Sequence, residues 1–207
     1  MENRRRRVPA KAPDDRRAAL IRATIPLLHE HGLDVSTRQI AEAAGVAEGT
    51  IFGVFENKNQ LVTVSMLQAL DPQPTIDAFQ AIDRGLSLRE RLTIAADMLM
   101  RRFLEHAQLM PAVRKLIMTG GEKEHFHKMA RDRERTQAAL TELIEPDAAI
   151  LRRSPGSTAR LLLLYCGARM FGPFGDPDGF DSQEAVSLLL DGLLIRQDDN
   201  RGAQSTC

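Results

Sequence analysis

The side chains of this 207-residue chain that could do chemistry are few, and most are badly spaced for it. His29 and His31, and again His125 and His127, stand two apart, which on a helix turns them to different faces and makes them poor metal pairs; His106 stands alone. There is no glycine-rich phosphate loop, no nucleophile elbow and no convincing carboxylate pair, so enzymatic chemistry is the weakest reading. Cys166 lies in an apolar run and Cys207 at the extreme end, a spacing that makes neither a disulfide framework nor a metal site, and no metal or cofactor is expected. Arg4, Arg5, Arg6 and Arg7 point elsewhere: four consecutive guanidiniums suit phosphates or a narrow minor groove, although a solvated tail has the same composition.

Lys and Arg together match Asp and Glu at 28 each, yet the charge is unevenly placed. Between Met1 and Arg22 eight basic residues face Glu2, Asp14 and Asp15, and the remainder of the chain is net acidic. A basic arm on a protein with no net charge overall is an electrostatic footprint of nucleic-acid binding. The arginines lead into charge, not into an apolar signal region, and no apolar stretch reaches the length of a membrane span. A cytoplasmic protein with no membrane partner is expected.

Beside such an arm, the stretch from Ser36 to Phe55 reads as two short helices around a tight turn. Ile40, Ala43 and Ala44 fall at i, i+3 and i+4, Gly45 suits a left-handed stop, and Val46 can plug the angle between the helices. Ile51, Val54 and Phe55 give the second helix a buried face, with Glu48, Gly49, Thr50 and Gly53 left outward. That is the layout of a helix-turn-helix, whose second helix meets base edges in the major groove. Before it, a helix from about Asp14 to His31 carries Ala18, Ile21, Ile25, Leu27 and Leu28 inward, with a bend expected at Pro26.

The flanks make the motif specific. Gly32 closes the first helix, and Glu56-Asn57-Lys58-Asn59-Gln60-Leu61-Val62 follows at once. From Gly32 to Val62 the chain resembles the DNA-binding domain of the TetR family of bacterial transcriptional regulators, in which an Asn/Ser-Lys pair opens the fourth helix. The resemblance covers about the first third; the rest is similar in length and helical character alone. It implies that Thr37, Thr50 and Lys58 occupy phosphate-contacting positions, in keeping with the pull of helix N-termini on anions. Two positions depart from the family. Phe52 stands where Tyr is common and lacks its hydroxyl, and Gly53 replaces a larger polar side chain and reads no base edge. Direct readout then falls mainly to Arg38, with Glu48 and Thr50 assisting, and Gly49, Phe52 and Gly53 lie against the duplex.

The expected architecture is all-α, with about nine helices: an arm over 1–12, a DNA-binding domain over 13–60, a helical ligand-binding and dimerisation domain over 61–199, and a disordered tail over 200–207. Asp71-Pro72-Gln73-Pro74 ends the fourth helix, Ser87 to Glu90 is a capping box, Gly120-Gly121 breaks the middle, and Gly172 to Gly179 excludes regular structure. Met98, Phe103, Met118, Phe126 and Met129 are candidates for an adaptable apolar pocket, with plain core as the bland alternative. The last two helices are apolar on most faces, through Leu161, Leu164, Tyr165 and Ala168 in one and Val186, Leu189, Leu190 and Leu193 in the other, and a second copy is the natural cover. Dimerisation through the last two helices is also what the resemblance implies. The expected function is a homodimeric, effector-responsive repressor on a palindromic double-stranded operator, in a bacterial cytoplasm and on the nucleoid when DNA-bound. A ligand-independent architectural DNA binder is the alternative.

Overall fold

The computed structural model describes residues 13–118, 123–167 and 181–193. Within them the chain forms ten α-helices and no strand: α1 Pro13–His31, α2 Thr37–Ala44, α3 Gly49–Phe52, α4 Lys58–Ala69, α5 Gln73–Gln80, α6 Leu88–Glu105, α7 Met110–Met118, α8 Lys123–Ile144, α9 Pro155–Gly167 and α10 Ser182–Leu193. Short 3₁₀ segments occupy Gly32–Asp34, Ala107–Leu109 and Glu145–Ile150. None of the described helices is long and apolar enough to cross a membrane.

The punctuation follows local chemistry. Ser36 and Gln39 close a capping box on α2, and Ser87 and Glu90 do the same for α6, each satisfying backbone donors that the first turn leaves unpaired. Asn57 accepts from the Gln60 backbone to start α4. Gly45, at φ +66°, ends α2 in the left-handed region that L side chains avoid. Pro26 sits inside α1 without ending it, so the helix runs unbroken from Pro13 to His31.

Two cores organise the chain. Leu20, Ile21 and Leu28 of α1 meet Val35, Ile40, Ile51, Phe55, Leu61 and Met66, all buried, and make the N-terminal core. Inward on α2 are Ile40 and Ala41; Ala43, placed on the apolar stripe by its spacing, is exposed. Leu109, Ala112 and Val113, from the 3₁₀ turn before α7 and from α7 itself, complete that first core although they are distant in sequence. The second core gathers α5, α6, α8, α9 and α10 around Phe79, Leu92, Leu99, Leu140, Leu143 and Leu162. Arg91, 3% exposed, pins its edge: it donates to the carbonyls of Arg84 (3.2 Å) and Leu86 (2.8 Å) and pairs with Asp147.

Val186 and Leu190 lie in this second core, fully buried against the chain's own helices. They are therefore corrected from interface to core. On α10 they sit one turn apart and face α6 and α9, while Leu188 points away and is 54% exposed. Leu161 and Leu164 of α9 are exposed, and Tyr165 and Leu189 are half-buried. Ala168 lies outside the described residues, and so does the side chain of Leu193.

Candidate nucleic-acid interface and effector cavity

The turn between α2 and α3 is built by backbone hydrogen bonds. Gly45 and Val46 N–H groups donate to Glu42 and Ala41, and Thr50 N–H donates to Ala47 at 2.8 Å. The second helix of the motif is shorter than its sequence suggests. Regular α-structure stops at Phe52, and Val54 and Phe55 continue as tight turns whose N–H groups both donate to Ile51. Arg17 of α1 holds this end in place, with its guanidinium 4.4 Å from the Phe55 ring centroid and a 3.5 Å hydrogen bond to the Val54 carbonyl.

On the outer side of the motif Arg38, Glu48, Gly49, Phe52 and Gly53 are exposed, and Thr37 and Thr50 are half-exposed. Phe52 leaves 54% of its surface open, a large apolar side chain on the outward face of the motif. Thr37 donates its hydroxyl to Glu48 at 2.5 Å, which ties the start of α2 to the start of α3. A carboxylate thus stands beside a helix N-terminus otherwise suited to an anion.

Lys58 has a different immediate task. Its Nζ donates to the Val35 carbonyl at 2.8 Å and the Leu33 carbonyl at 3.2 Å, buttressing the segment that delivers Ser36 and Thr37. An ammonium has three donors, so one remains for a phosphate. Gly53 adopts φ −81°, which any residue accepts, and a Cβ there would meet Thr50 O at an ordinary 3.5 Å. The fold does not require that glycine. Arg4 to Arg7 lie outside the described residues.

Between the two cores is a cavity of about 500 Å³, within the range of small-molecule sites. Of the pocket candidates, Phe103, Met118 and Met129 line it, and Met98 and Phe126 do not. The stripe of α6 facing the cavity is Leu99, Arg102, Phe103 and His106, at i, i+3, i+4 and i+7, which turns Met98 into a smaller cavity of about 210 Å³ against α5. On α8 the stripe is Met129, Asp132, Arg133 and Thr136, and the cavity ends before Phe126. Arg102, His106 and Asp132 escaped the sequence reading because apolar size was the criterion, whereas their spacing from Leu99 and Met129 was the available signal.

The cavity wall is shared with the N-terminal half. Leu67 of α4 and Leu70, which caps that helix, reach it, and Met110 and Val113, which also pack against the N-terminal core, reach it from α7. His106 stands against His29 of α1. Burial, with Arg102 and then His29 nearby, pushes the His106 imidazole down to about 4 against a smaller opposing pull from Glu105, so the ring is neutral at pH 7. Cys166 is buried in the second core, and burial raises its thiol to about 12, which leaves it unreactive.

The molecule is thus a three-helix head with a helix-turn-helix on a helical body, with a cavity at their junction. The family model for bacterial regulatory proteins of the tetR family matches residues 20–63. Over the whole chain, the fold is similar to a transcriptional regulator from Rhodococcus sp. Rha1, at 18% identity and a TM-score of 0.65, covering 90% of this chain and 100% of that one. It is also similar to a TetR transcription regulator from Haloarcula marismortui (17% identity, TM-score 0.65, 88% and 100% covered). A bacterial regulatory protein in the tetR family from Rhodococcus RHA1 aligns at 18% identity and a TM-score of 0.60, with 88% and 98% covered. Residues 20–63 thus match the DNA-binding domain of the tetR family, and the chain as a whole shares its fold with these regulators.

Proposed function

We propose that this regulator is a repressor that binds a palindromic operator as a homodimer in the bacterial cytoplasm and releases it when a small molecule fills the cavity. The observation that carries the reading is the shared wall. Leu67 lies in the helix that follows the recognition motif and Leu70 caps that helix, and Met110 and Val113 touch both the cavity and the N-terminal core. A molecule that fits the cavity only when these side chains shift binds the DNA-incompetent arrangement better, and that differential affinity is what moves the equilibrium. An architectural DNA binder would need no such cavity. Dimerisation is supported by Leu161, Leu164 and Leu188, exposed on the last two described helices.

The test is selection of bound duplexes from a random-sequence pool, paired with light scattering of the free protein. Enrichment of an inverted repeat by a protein of twice the monomer mass is expected. A single half-site bound by a monomer would refute the dimeric reading, and binding indifferent to sequence would favour the architectural one.

A further inference from the structure

The cavity at the domain junction is mostly apolar, but the charges that reach it are unbalanced. Among the described residues, Arg102, Arg114 and Arg133 line it against one carboxylate, Asp132. Asp132 is already answered on its own helix, accepting from Lys128 at 2.5 Å and from Arg135 at 3.1 Å. Arg114 and Arg133 are exposed at the rim, whereas Arg102 is half-buried. Its desolvation disfavours the charge, an effect opposed by Asp71, Glu105 and Asp132, of which Asp71 and Glu105 lie outside the cavity lining. Among the described residues Arg102 donates to the Asp71 carbonyl at 2.6 Å, one use of a fork that carries five N–H donors matched to carboxylate geometry.

One turn further along α6, His106 lines the same cavity, and its Nδ1 is buried without a hydrogen-bond partner among the described residues. A buried polar atom without a partner costs free energy that a ligand atom can recover. A guanidinium with spare donors beside an open imidazole nitrogen receives an acid group, and Leu67, Leu99, Met110, Met129 and Leu163 then surround an apolar body.

We propose that the ligand of this cavity is an anionic amphiphile, a carboxylate on an apolar body, with the carboxylate at Arg102 and His106. The assignment rests on the reading of the cavity as the effector site. Among the described residues a cationic amphiphile would instead meet three guanidiniums, with Phe103 and the His106 ring as the aromatic side chains in the lining, far short of an aromatic cage.

Decanoate, 1-decanol and decyltrimethylammonium, kept below their micelle concentrations, can be titrated calorimetrically into the full-length protein. Decanoate should bind at least about tenfold more tightly than decanol, and the cation most weakly. Arg102→Gln should bring decanoate down to the decanol level while decanol is unchanged, and Arg102→Lys should recover part of the preference. In the wild type, independent of how any variant folds, decanoate should move the NMR titration of His106 to higher pH, and decanol should leave it in place. Equal binding of decanoate and decanol, or tighter binding of the cation, overturns the acid assignment and leaves the effector site standing. No binding by any of the three overturns both.

Discussion

His29 of α1 and His106 at the end of α6 face each other across the junction of the two cores, ring centroids 5.3 Å apart and planes inclined by 34°. The pair joins the DNA-binding head to the cavity wall, and its acid behaviour is testable. An imidazole held below its ordinary value takes up a proton more readily in the unfolded chain. The stability it contributes is therefore complete above about pH 6.5 and is lost as the pH falls from there towards 4. With the half-buried ring screened by solvent, the loss by pH 5 should be about 1 kcal/mol, or about 2–4 °C in Tm. Thermal unfolding at fixed ionic strength from pH 7 to pH 5 should show a steeper decline in the wild type than in His106→Gln; parallel curves would refute it.

Lys58→Ala should lower stability by about 1–3 kcal/mol, because the Val35 and Leu33 carbonyls lose a charged donor. It should also weaken binding to all duplexes alike, with the salt slope reduced by about one. Denaturant melts and DNA titrations at several salt concentrations measure the two effects separately. A loss confined to one operator sequence would contradict this role.

Arg38→Ala should cost about 1–3 kcal/mol on the operator and less on a scrambled duplex. Glu48→Gln should do the reverse off target: with the carboxylate beside Thr37 neutralised, binding to scrambled duplex should tighten. Titrations of both variants at one salt concentration decide the matter. Equal losses on the two duplexes would demote Arg38 to a phosphate contact.

Gly45→Ala should destabilise the head by about 1–2 kcal/mol, wholly through the backbone, since a Cβ there meets nothing within 4 Å but must adopt φ +66°. Gly53→Ala, at φ −81°, should leave stability equal or slightly higher. If its DNA affinity nonetheless falls, the missing side chain serves close approach to the duplex. Melting curves of the two variants, run side by side, give the contrast, and an equal loss in both would refute it.

Leu188→Asp and Leu164→Asp should leave folded monomers, whereas Leu190→Asp should unfold the body because Leu190 is buried in the chain's own core. Light scattering together with circular dichroism separates the cases. A dimeric Leu188→Asp, Leu164→Asp double variant would move the interface elsewhere.

Helix punctuation was legible in the sequence because it rests on neighbours: Ser36, Gly45, Asn57 and Ser87 each do their work within four residues. The motif and its outward residues were legible for the same reason. Facing was harder. Val186 and Leu190 read as half of a wide apolar stripe, and no local rule says which part of such a stripe meets its own chain and which meets solvent. The cavity was harder still, since Arg102 and Asp132 approach one another only after α6 and α8 pack, and a search for apolar residues passes over them. The contribution of Leu109, Ala112 and Val113 to the N-terminal core is a long-range contact that periodicity cannot express.

That last contact limits how the molecule can be recombined. The head is not closed by α1 to α4: part of its floor comes from α7, some forty residues beyond the end of α4. A chimera that grafts another regulator's first four helices onto this body inherits a floor contoured for Leu20, Leu28 and Met66. Interchangeable reading heads would therefore have to travel with a matching face of α7, and a crossover drawn at a helix boundary in the sequence would cut through a single packed core.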